Sequence, residues 1–460
     1  MEVTREQLLE IIEKQAQQIK RLEALVKKLQ ANSTNSSRPP SSDSPAVRAK
    51  RRKLKKKKPS TRAQGAQKGH EPHKRALLQT DVVEHVRPSH CSDCKHVLIG
   101  DDSNPKHHQF VELPPISAHV TDFLLHTLQC SCCGKSTSAQ TPAHVGANTY
   151  GPGIAAMACA LTGSFGMSRR QARDYLNQAL GVCLSLGTVH NLEKRGASAL
   201  HQAWLDAREH IRGSEVVHVD ETSWSQTRGE KGWAWSASTP DVSLYALHPN
   251  RSKEGFFKLM SKEYEGIVVS DRFSVYLHNH KGPSQWCWAH LLRQFDSTTQ
   301  SSKGLIQSCA KRLAQLGRLI SKIWRWDRNP GPTIPHLPGF AQELHPKLRQ
   351  DFEDTLTLLS QLKGAPGWSR ALLKQQDGLW TFEAREDVGM TNNLAERRIR
   401  PLVLARKGSF GSQSEAGARY IERIYTVTQT LKAQGRQLVG YLRQSLDAAQ
   451  VGAASPKLLT

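Results

Sequence analysis

Apolar side chains recur every seven residues at the start of the chain and predict one helix over residues 1–31. Ile or Val occupies one position of the heptad and mostly Leu the other, which favours a parallel two-stranded coiled coil and therefore a homo-oligomer. Because the run covers only three to four heptads, a helix packed on its own protein is the alternative. The recurring positions are Leu8, Gln15, Leu22 and Leu29, interleaved with Ile12, Ile19 and Val26.

The hydrophobic pattern is lost between residues 32 and 79. Residues 32–45 are rich in Ser, Pro and Asn and predict a flexible linker. Residues 48–58 contain nine Lys or Arg among eleven positions, so they cannot form a core and are predicted to stay disordered until they meet phosphates. We predict a disordered basic linker that contacts DNA, with a solubilising tail as the alternative. Its predicted contacts are Arg51, Arg52, Lys53, Lys55, Lys56, Lys57 and Lys58.

Residues 149–210 have a helical pattern that follows a Gly-Pro-Gly break at 151–153. Ser168 is a predicted N-cap, Gly181 marks a turn, and residues 185–195 predict a second helix. Two helices joined by a short turn are typical of a helix-turn-helix, so we predict DNA binding by this region. Any αα-hairpin shows the same pattern, which leaves that alternative open. Arg169 and Arg170 are the predicted DNA contacts here.

From residue 215 the pattern changes to short β-branched and alternating runs, which predict strands. The order is three strands, one helix and a fourth strand, as in a ribonuclease-H-like sheet, where strands one and four lie side by side. We therefore predict an α/β catalytic core of this type over residues 211–430, within a multidomain and mostly helical chain. The predicted strands are 215–218, 231–238, 242–248 and 265–269, and the predicted helix is 251–260.

Helical patterns dominate the remainder of the chain. Residues 297–379 predict a long helical insertion in the catalytic core, with a Pro-rich break at 329–338. Residues 431–460 predict a C-terminal helix and tail.

Charge and composition narrow the class of protein. The chain has 460 residues and a net charge of +23, which favours a polyanionic partner; nucleic acid is the commonest, and acidic lipid is the competing one. No apolar run approaches the length that spans a bilayer, and the acidic, helical N-terminus does not resemble a signal peptide. We predict a cytosolic protein with no membrane partner.

Two close cysteine pairs predict a zinc site within residues 80–148. Four thiolates on two C-x-x-C turns satisfy the tetrahedral preference of zinc, and residues 120–128 form a predicted strand between the pairs, as in a zinc ribbon. Reduced thiols in turns are the alternative, and Cys132, His90 and His96 are spare ligand candidates. The predicted structural Zn²⁺ ligands are Cys91, Cys94, Cys130 and Cys133.

Acidic residues follow the first and fourth predicted strands and lie on one later helix. Asp220, Asp271 and Glu396 would supply the carboxylates that two Mg²⁺ ions, or Mn²⁺ as a substitute, need for phosphodiester chemistry. Each residue has an alternative role. Glu221 replaces Asp220 if the strand register is shifted by one, Asp271 could cap the following helix, and Glu396 could belong to a solvated helix with internal ion pairs.

Basic residues surround these acids and are predicted to contact DNA. His290 and Arg293 fall one helical turn apart and would share one face, although a packed histidine and a surface arginine fit the spacing equally well. Pro401 is expected to interrupt or kink the helix that carries Glu396. The predicted phosphate contacts on that helix are Arg397, Arg398, Arg400, Arg406 and Lys407.

Several motifs together resemble the transposases of the insertion sequence 66 family, which are of the DDE type. The resemblance covers most of the chain. It implies that Asp220, Asp271 and Glu396 are the catalytic triad, that Mg²⁺ is the cofactor, that the cysteine pairs bind zinc and that the N-terminal part recognises DNA. One departure is Arg272, since related sequences commonly have glycine or tyrosine after the acid. The motifs are NSSRPPSSD, the double C-x-x-C, HVDETSW, SDRFSVY, CWAHLLRQF and TNNLAERRIRPLVLARKGSFGS.

The predicted function is therefore DNA transposition, by hydrolysis at the ends of an element and transesterification into target DNA. The predicted partners are double-stranded terminal-repeat and target DNA, with accessory proteins left open. The predicted location is the bacterial cytoplasm, associated with the nucleoid. Two alternatives are a structure-selective nuclease of the same fold, which cuts without joining, and a catalytically silent DNA-binding regulator.

Overall fold

The computed structural model describes residues 76–145, 148–226, 229–328 and 340–459, apart from isolated positions before residue 50. The predicted coiled coil, the basic stretch with its DNA contacts and the Pro-rich break lie outside these residues. Within the described residues, none of the helices combines the length and the apolar character that crossing a bilayer requires.

The chain divides into two compact units, one of which spans residues 48–117. The described part of this unit has little regular structure, and one isolated antiparallel bridge pairs His90 with Val97. The Gln109 side chain holds Leu78, donating to its carbonyl at 2.8 Å and accepting from its N–H at 3.0 Å.

The second unit begins with a short hairpin. Strand β1, Thr127–Gln129, pairs antiparallel with β2, Ser136–Ser138. The predicted strand at residues 120–128 is therefore wrong over most of its length, since residues 120–126 are irregular. The described strand is only as long as its three-residue partner across the Cys130–Gly134 turn. Alternation alone could not reveal that limit.

Four helices and a π-helical segment follow, and they confirm the predicted helical region. Ser168 is an N-cap with a full capping box, because its hydroxyl accepts from the N–H of Gln171 while the Gln171 side chain accepts from the N–H of Ser168. Gly181 ends that helix at φ 67°, in the left-handed region that favours glycine. The helices are α1, Pro152–Cys159; α2, Arg169–Leu180; α3, Leu186–Ala199; and α4, His201–Gly213. The π-helical segment Ala160–Ser164 follows α1.

A five-stranded mixed sheet forms the centre of this unit. Its order is β5-β4-β3-β6-β7; β4 pairs antiparallel with both β3 and β5, whereas β6 pairs parallel with both β3 and β7. The predicted neighbours, strands one and four, therefore do lie side by side. The strands are β3, Val216–Ser225; β4, Lys231–Ser238; β5, Ser243–His248; β6, Ile267–Ser270; and β7, Ser284–Trp286. The connecting helices are α5, Lys253–Leu259, and α6, Ser274–Asn279.

Helices cover both faces of the sheet. Val217 and Val219 face a core shared with α1 to α4, whereas Ile267 and Val269 face a second core built mainly from the predicted helical insertion. This alternation is expected for strands that are buried on both sides. The insertion is helical where it is described. The remaining helices are α7, Trp288–Ser301; α8, Gly304–Arg328; α9, Phe340–Gln361; α10, Gly367–Lys374; α11, Asp377–Ala384; α12, Asn393–Gly408; α13, Glu415–Ala433; and α14, Leu438–Val451.

Helix α13 covers the open edge of β5 with a polar stripe. The N–H groups of Ser243 and Tyr245 donate to the hydroxyls of Thr430 and Thr426, each at 3.1 Å, and the N–H of Leu247 donates to Glu422 at 2.7 Å. A free strand edge would otherwise offer these donors to another chain. The stripe therefore ends the sheet.

Candidate active site

Asp220 lies in the middle of β3 rather than at a strand end. The pairing of β3 with β6 stops at His218, whereas its pairing with β4 continues to Ser225. The predicted position of Asp220 at a strand end is therefore wrong for β3, which continues to Ser225. It is correct only for the pairing of β3 with β6, which ends just before Asp220. The Oδ1 of Asp220 accepts from the N–H of Glu221 at 2.9 Å.

Asp271 follows the last residue of β6. Its Oδ1 accepts from the N–H of Phe273 at 3.0 Å, so it does cap the turn that leads into α6. Arg272 has φ 68°, a left-handed conformation that glycine adopts freely and other residues adopt at a cost of about 1–3 kcal/mol. This backbone requirement explains why a glycine would suit the position after the acid.

Glu396 lies in the first turn of α12, and Asn392 fixes where that turn sits. The buried Asn392 amide donates to the Val219 carbonyl at 2.6 Å, and its Oδ1 lies 3.2 Å from Nδ1 of His218. Burial lowers the pKa of His218 to about 4, so this ring is neutral at physiological pH. Asn392 therefore uses its side chain to tie α12 to β3, and not to cap its own helix.

The three acids interact electrostatically. Burial, followed by the charges of Glu221, Asp271 and Glu396, raises the pKa of Asp220 well above its usual value. Burial also raises the pKa of Glu396, with a smaller contribution from Asp271 and opposition from Arg293. Carboxylates that repel one another in this way are stabilised by a bound cation. Because hard divalent cations prefer carboxylate oxygens, the residues present fit Mg²⁺.

Glu221, the alternative to Asp220, is occupied by other contacts. Its side chain is only 2% exposed, and it accepts from Nε of Arg251 at 3.0 Å and from the hydroxyl of Tyr276. Arg251 also stacks on the rings of Trp233 and Phe273. Glu221 thus belongs to an aromatic and ionic network beneath the acids, and Asp220 is the acid on this strand that stays available.

His290 and Arg293 lie beside Glu396. Nδ1 of His290 is 3.6 Å from Oε1 of Glu396, and burial and the charge of Arg293 lower the pKa of His290 to about 4. Neither of these two atoms has a hydrogen-bond partner among the described residues. The predicted one-turn spacing therefore does place both basic residues at the acids. His290 is neutral there and contributes no positive charge.

The arginines of α12 face different surroundings. Arg397, Arg398 and Arg400 line a groove of about 420 Å³ between α12 and α13, where Lys432 adds a further cation. Arg406 instead points to β3, donating to Thr222 Oγ1 at 2.8 Å and to the Ser223 carbonyl at 2.9 Å. Nη1 of Arg406 therefore binds the sheet, and the role of Arg406 as a phosphate contact stays a prediction. Lys407 is exposed, and Pro401 lies within the helix without ending it.

The predicted helix-turn-helix is α2 and α3. Helix α3 packs against the core through residues such as Val189, Leu192 and Gly196. Arg170 is exposed, whereas Arg169 donates to the buried carboxylate of Glu193 at 2.6 Å. Base reading by this pair of helices stays a prediction, with α2 offering the more open surface.

The two cysteine pairs fold into turns of the same kind. In each, the first cysteine carbonyl accepts from the residue four positions on, and that residue has positive φ: 61° at Lys95 and 70° at Gly134. The backbone N–H groups two and three residues on lie against the first sulfur and lower the pKa of the Cys91 and Cys130 thiols. Each turn by itself therefore has the donors that stabilise a thiolate ligand.

The family described as Transposase IS66 family matches residues 149–420, which is more than half of the chain and includes Asp220, Asp271 and Glu396. The chain belongs to the IS66 transposase family. Membership supports a transposase role. A second family, described as a family of unknown function (DUF6444), matches residues 1–76.

Two similar proteins of Sinorhizobium fredii (strain NBRC 101917 / NGR234) carry no assigned activity. The first, Uncharacterized protein y4qI, is 23% identical over 273 residues, which cover 53% of this chain and 49% of that protein. The second, Uncharacterized protein y4hP, is 23% identical over 388 residues, which cover 75% of this chain and 68% of that protein. The IS66-family chain thus spans about half the length of the first.

Sequence reasoning missed three residues of this IS66-family site. Asn392 ties α12 to β3, Cys287 lies against the start of α12, and Lys432 completes the basic groove from α13. Asn392 lies in the motif TNN, and this motif was the available sequence signal for a buried role. Lys432 gave none, because its contribution depends on how two helices pack.

Proposed function

We propose that this protein is a DNA transposase that cuts DNA at the ends of an element and joins the freed ends to target DNA through a carboxylate triad. The observation that carries the proposal is the convergence of Asp220, Asp271 and Glu396, which come from β3, the end of β6 and α12. Residues so far apart in the chain share one charged site at the edge where β3 and β6 stop pairing.

The sheet supports a ribonuclease-H-like core for this proposal. Three antiparallel strands followed by two parallel strands, with the first strand in the centre, is the order expected for that fold. Beyond the point where β3 and β6 stop pairing, Asp220 and Asp271 lie close enough for the charge of Asp271 to raise the pKa of Asp220. Fold alone does not carry the function, which rests on the acids.

The residues have separate tasks in the proposed reaction. Asp220, Asp271 and Glu396 would hold two Mg²⁺ ions, or Mn²⁺ in their place, which when bound activate an attacking oxygen and stabilise a leaving oxygen. Asn392 keeps Glu396 beside β3 through its bond to Val219. The neutral imidazole of His290 leaves the charge of Glu396 available for a cation.

The groove between α12 and α13 would hold the phosphate backbone of the DNA. Its four cations are contributed by two helices, and its other lining residues are uncharged. Arg400 lies one helical turn after Glu396, so a backbone in the groove can reach the acids. Phosphate contacts of this kind position a strand without reading its sequence.

A joining assay tests the proposal against its two rivals. Duplex DNA that carries an element end is incubated with the protein, a target plasmid and Mg²⁺, and the joined product is quantified. Joined product supports a transposase. Nicked product without joining favours a structure-selective nuclease, and DNA binding without either product favours a regulator.

Neutralising the groove is expected to weaken DNA binding without changing sequence preference. Arg397→Ala, Arg400→Ala and Lys432→Ala should each reduce the slope of log affinity against log salt by about 1, because each removes one phosphate contact. Fluorescence anisotropy at several salt concentrations measures this slope. Arg370→Ala on α10, an exposed arginine elsewhere on the chain, is the matched control. Unchanged slopes for the three groove variants would remove the groove from the DNA path.

We also propose one structural Zn²⁺ ion for the chain, bound by Cys91, Cys94, Cys130 and Cys133. Cys91→Ser and Cys130→Ser should each lose most of the zinc that survives dialysis, since a tetrahedral site needs all its ligands. Elemental mass spectrometry gives the zinc content per chain. Cys132→Ser, within the second pair, should keep its zinc. Equal zinc in all three variants would contradict the assignment.

A further inference from the structure

A thiol, an imidazole and a carboxylate meet at the start of α7. One ligand atom from each of Cys287, His290 and Glu396 lies within 4.8 Å of the other two. Cys287 is 1% exposed, and its sulfur accepts from the N–H of Asn392 at 3.2 Å. His290 Nδ1 and Glu396 Oε1, 3.6 Å apart, have no hydrogen-bond partner among the described residues. Two buried polar atoms thus face each other beside a sulfur.

Cys287 and His290 form a turn like those of the zinc-type cysteine pairs. The sequence from 287 to 290 is C-W-A-H, so the two ligands have the C-x-x-[CH] spacing. The N–H groups of Ala289 and His290, two and three residues on, lie against the Cys287 sulfur, as the corresponding groups do at Cys91 and Cys130. The N–H of His290 also donates to the Cys287 carbonyl at 3.0 Å.

We propose that Cys287, His290 and Glu396 form a binding site for a borderline divalent cation, Zn²⁺ in the first instance, that is separate from the four-cysteine zinc site. Sulfur, nitrogen and a carboxylate oxygen are the ligand set that Zn²⁺ accepts and that Mg²⁺, which requires oxygen, does not. Three protein ligands leave a fourth position for water or a phosphate oxygen. Binding releases the Cys287 thiol proton to solvent.

Glu396 belongs to both sites, so the two cations compete. Zn²⁺ bound by the trio of Cys287, His290 and Glu396 withdraws Glu396 from Asp220 and Asp271. The protein with Zn²⁺ bound to this trio is inactive. Zn²⁺ binding itself does not depend on the proposed strand transfer; only its inhibitory effect rests on that function. Arg293 is the resident positive charge near Glu396 and weakens cation binding at the trio.

The site is tested by calorimetric titration of Zn²⁺ into the full chain, without DNA or Mg²⁺. The four-cysteine site of this protein already holds zinc before the titration. The wild-type protein should bind one further equivalent, and Cys287→Ala and His290→Gln should each weaken that binding at least about tenfold. Cys309→Ala, at a buried cysteine of α8, is the matched control and should bind as the wild type does. Thermal unfolding of each variant checks that it remains folded.

Co²⁺ gives a spectroscopic signal that would not depend on Cys287 if this residue were only structural. Co²⁺ added to the zinc-loaded protein should develop a thiolate-to-cobalt absorption band that is absent from Cys287→Ala and present in Cys309→Ala. A band of equal strength in Cys287→Ala, or no further equivalent in the wild type, overturns the site. Zn²⁺ binding without any DNA joining by the Mg²⁺-loaded protein would instead refute the proposed function and leave the site standing.

Discussion

Asp220→Asn, Asp271→Asn and Glu396→Gln are each expected to lower DNA cleavage and joining by about 10³-fold or more, while DNA binding is kept. The amide side chain of each variant has nearly the shape of the carboxylate that it replaces, but it carries no negative charge to bind a cation. Metal ions supply several kcal/mol of transition-state stabilisation, and each 1.4 kcal/mol corresponds to about one factor of ten in rate. Single-turnover assays on an element-end duplex measure the rate, and anisotropy on the same duplex measures binding.

Matched controls separate this loss from a general loss of charge. Glu263→Gln removes an exposed acid that pairs with Lys281, and it should leave both activities unchanged. Glu221→Gln should instead lower stability, because it leaves Arg251 and Tyr276 without their charged partner beneath the site. Wild-type joining by any one of the triad variants would exclude that residue from the triad.

The amides should also bind DNA slightly more tightly than the wild type. Asp220, Asp271 and Glu396 are three negative charges placed where a phosphate would lie, and in the absence of divalent cations they repel it. A comparison of affinities with and without Mg²⁺ therefore reports on the site independently of turnover. The higher DNA affinity of the amide variants should vanish when Mg²⁺ neutralises the acids of the wild-type protein.

The strands and helices around this site were largely predictable from hydrophobic pattern and capping. Residues 231–238 match β4, and Ser168 and Gly181 bound α2 as expected, because local chemistry sets these features. The position of Asp220 was less predictable. The HVDETSW run is polar enough to read as a strand end, whereas pairing with β4 extends β3 to Ser225.

The roles of charged residues depended on packing that the sequence does not encode locally. Arg406 and Arg400 lie on one basic helix, yet Arg406 binds the backbone of β3 and Arg400 lines the groove. Likewise the polar stripe of Glu422, Thr426 and Thr430 on α13 looks like a solvated face, but it covers β5. Helical spacing predicts on which side of a helix a residue lies. The element that packs against that side determines the role of the residue.

A glycine in the loop after α12 sets how that helix meets β3. Gly411 has φ 77°, and a Cβ there would lie 2.0 Å from the carbonyl oxygen of Ser225, at the end of β3. The same carbonyl accepts from the N–H of Ser412 at 3.0 Å, and the Ser412 hydroxyl accepts from the indole of Trp224 at 3.1 Å. These bonds fix the strand that carries Asp220 to the chain that follows Glu396.

Gly411→Ala is therefore expected to lower the free energy of unfolding by about 2–3 kcal/mol, since left-handed strain costs about 1–3 kcal/mol and the clash breaks the bond to Ser225. Thermal unfolding should show a Tm lower by roughly 5 °C. Gly408→Ala, three residues earlier at the end of α12, has open space for a Cβ and should be neutral or stabilising by up to about 1 kcal/mol. Joining activity should fall in Gly411→Ala and persist in Gly408→Ala, because only the former displaces β3 from α12. If both variants unfolded at the wild-type temperature, the loop would not be what holds Asp220 and Glu396 together.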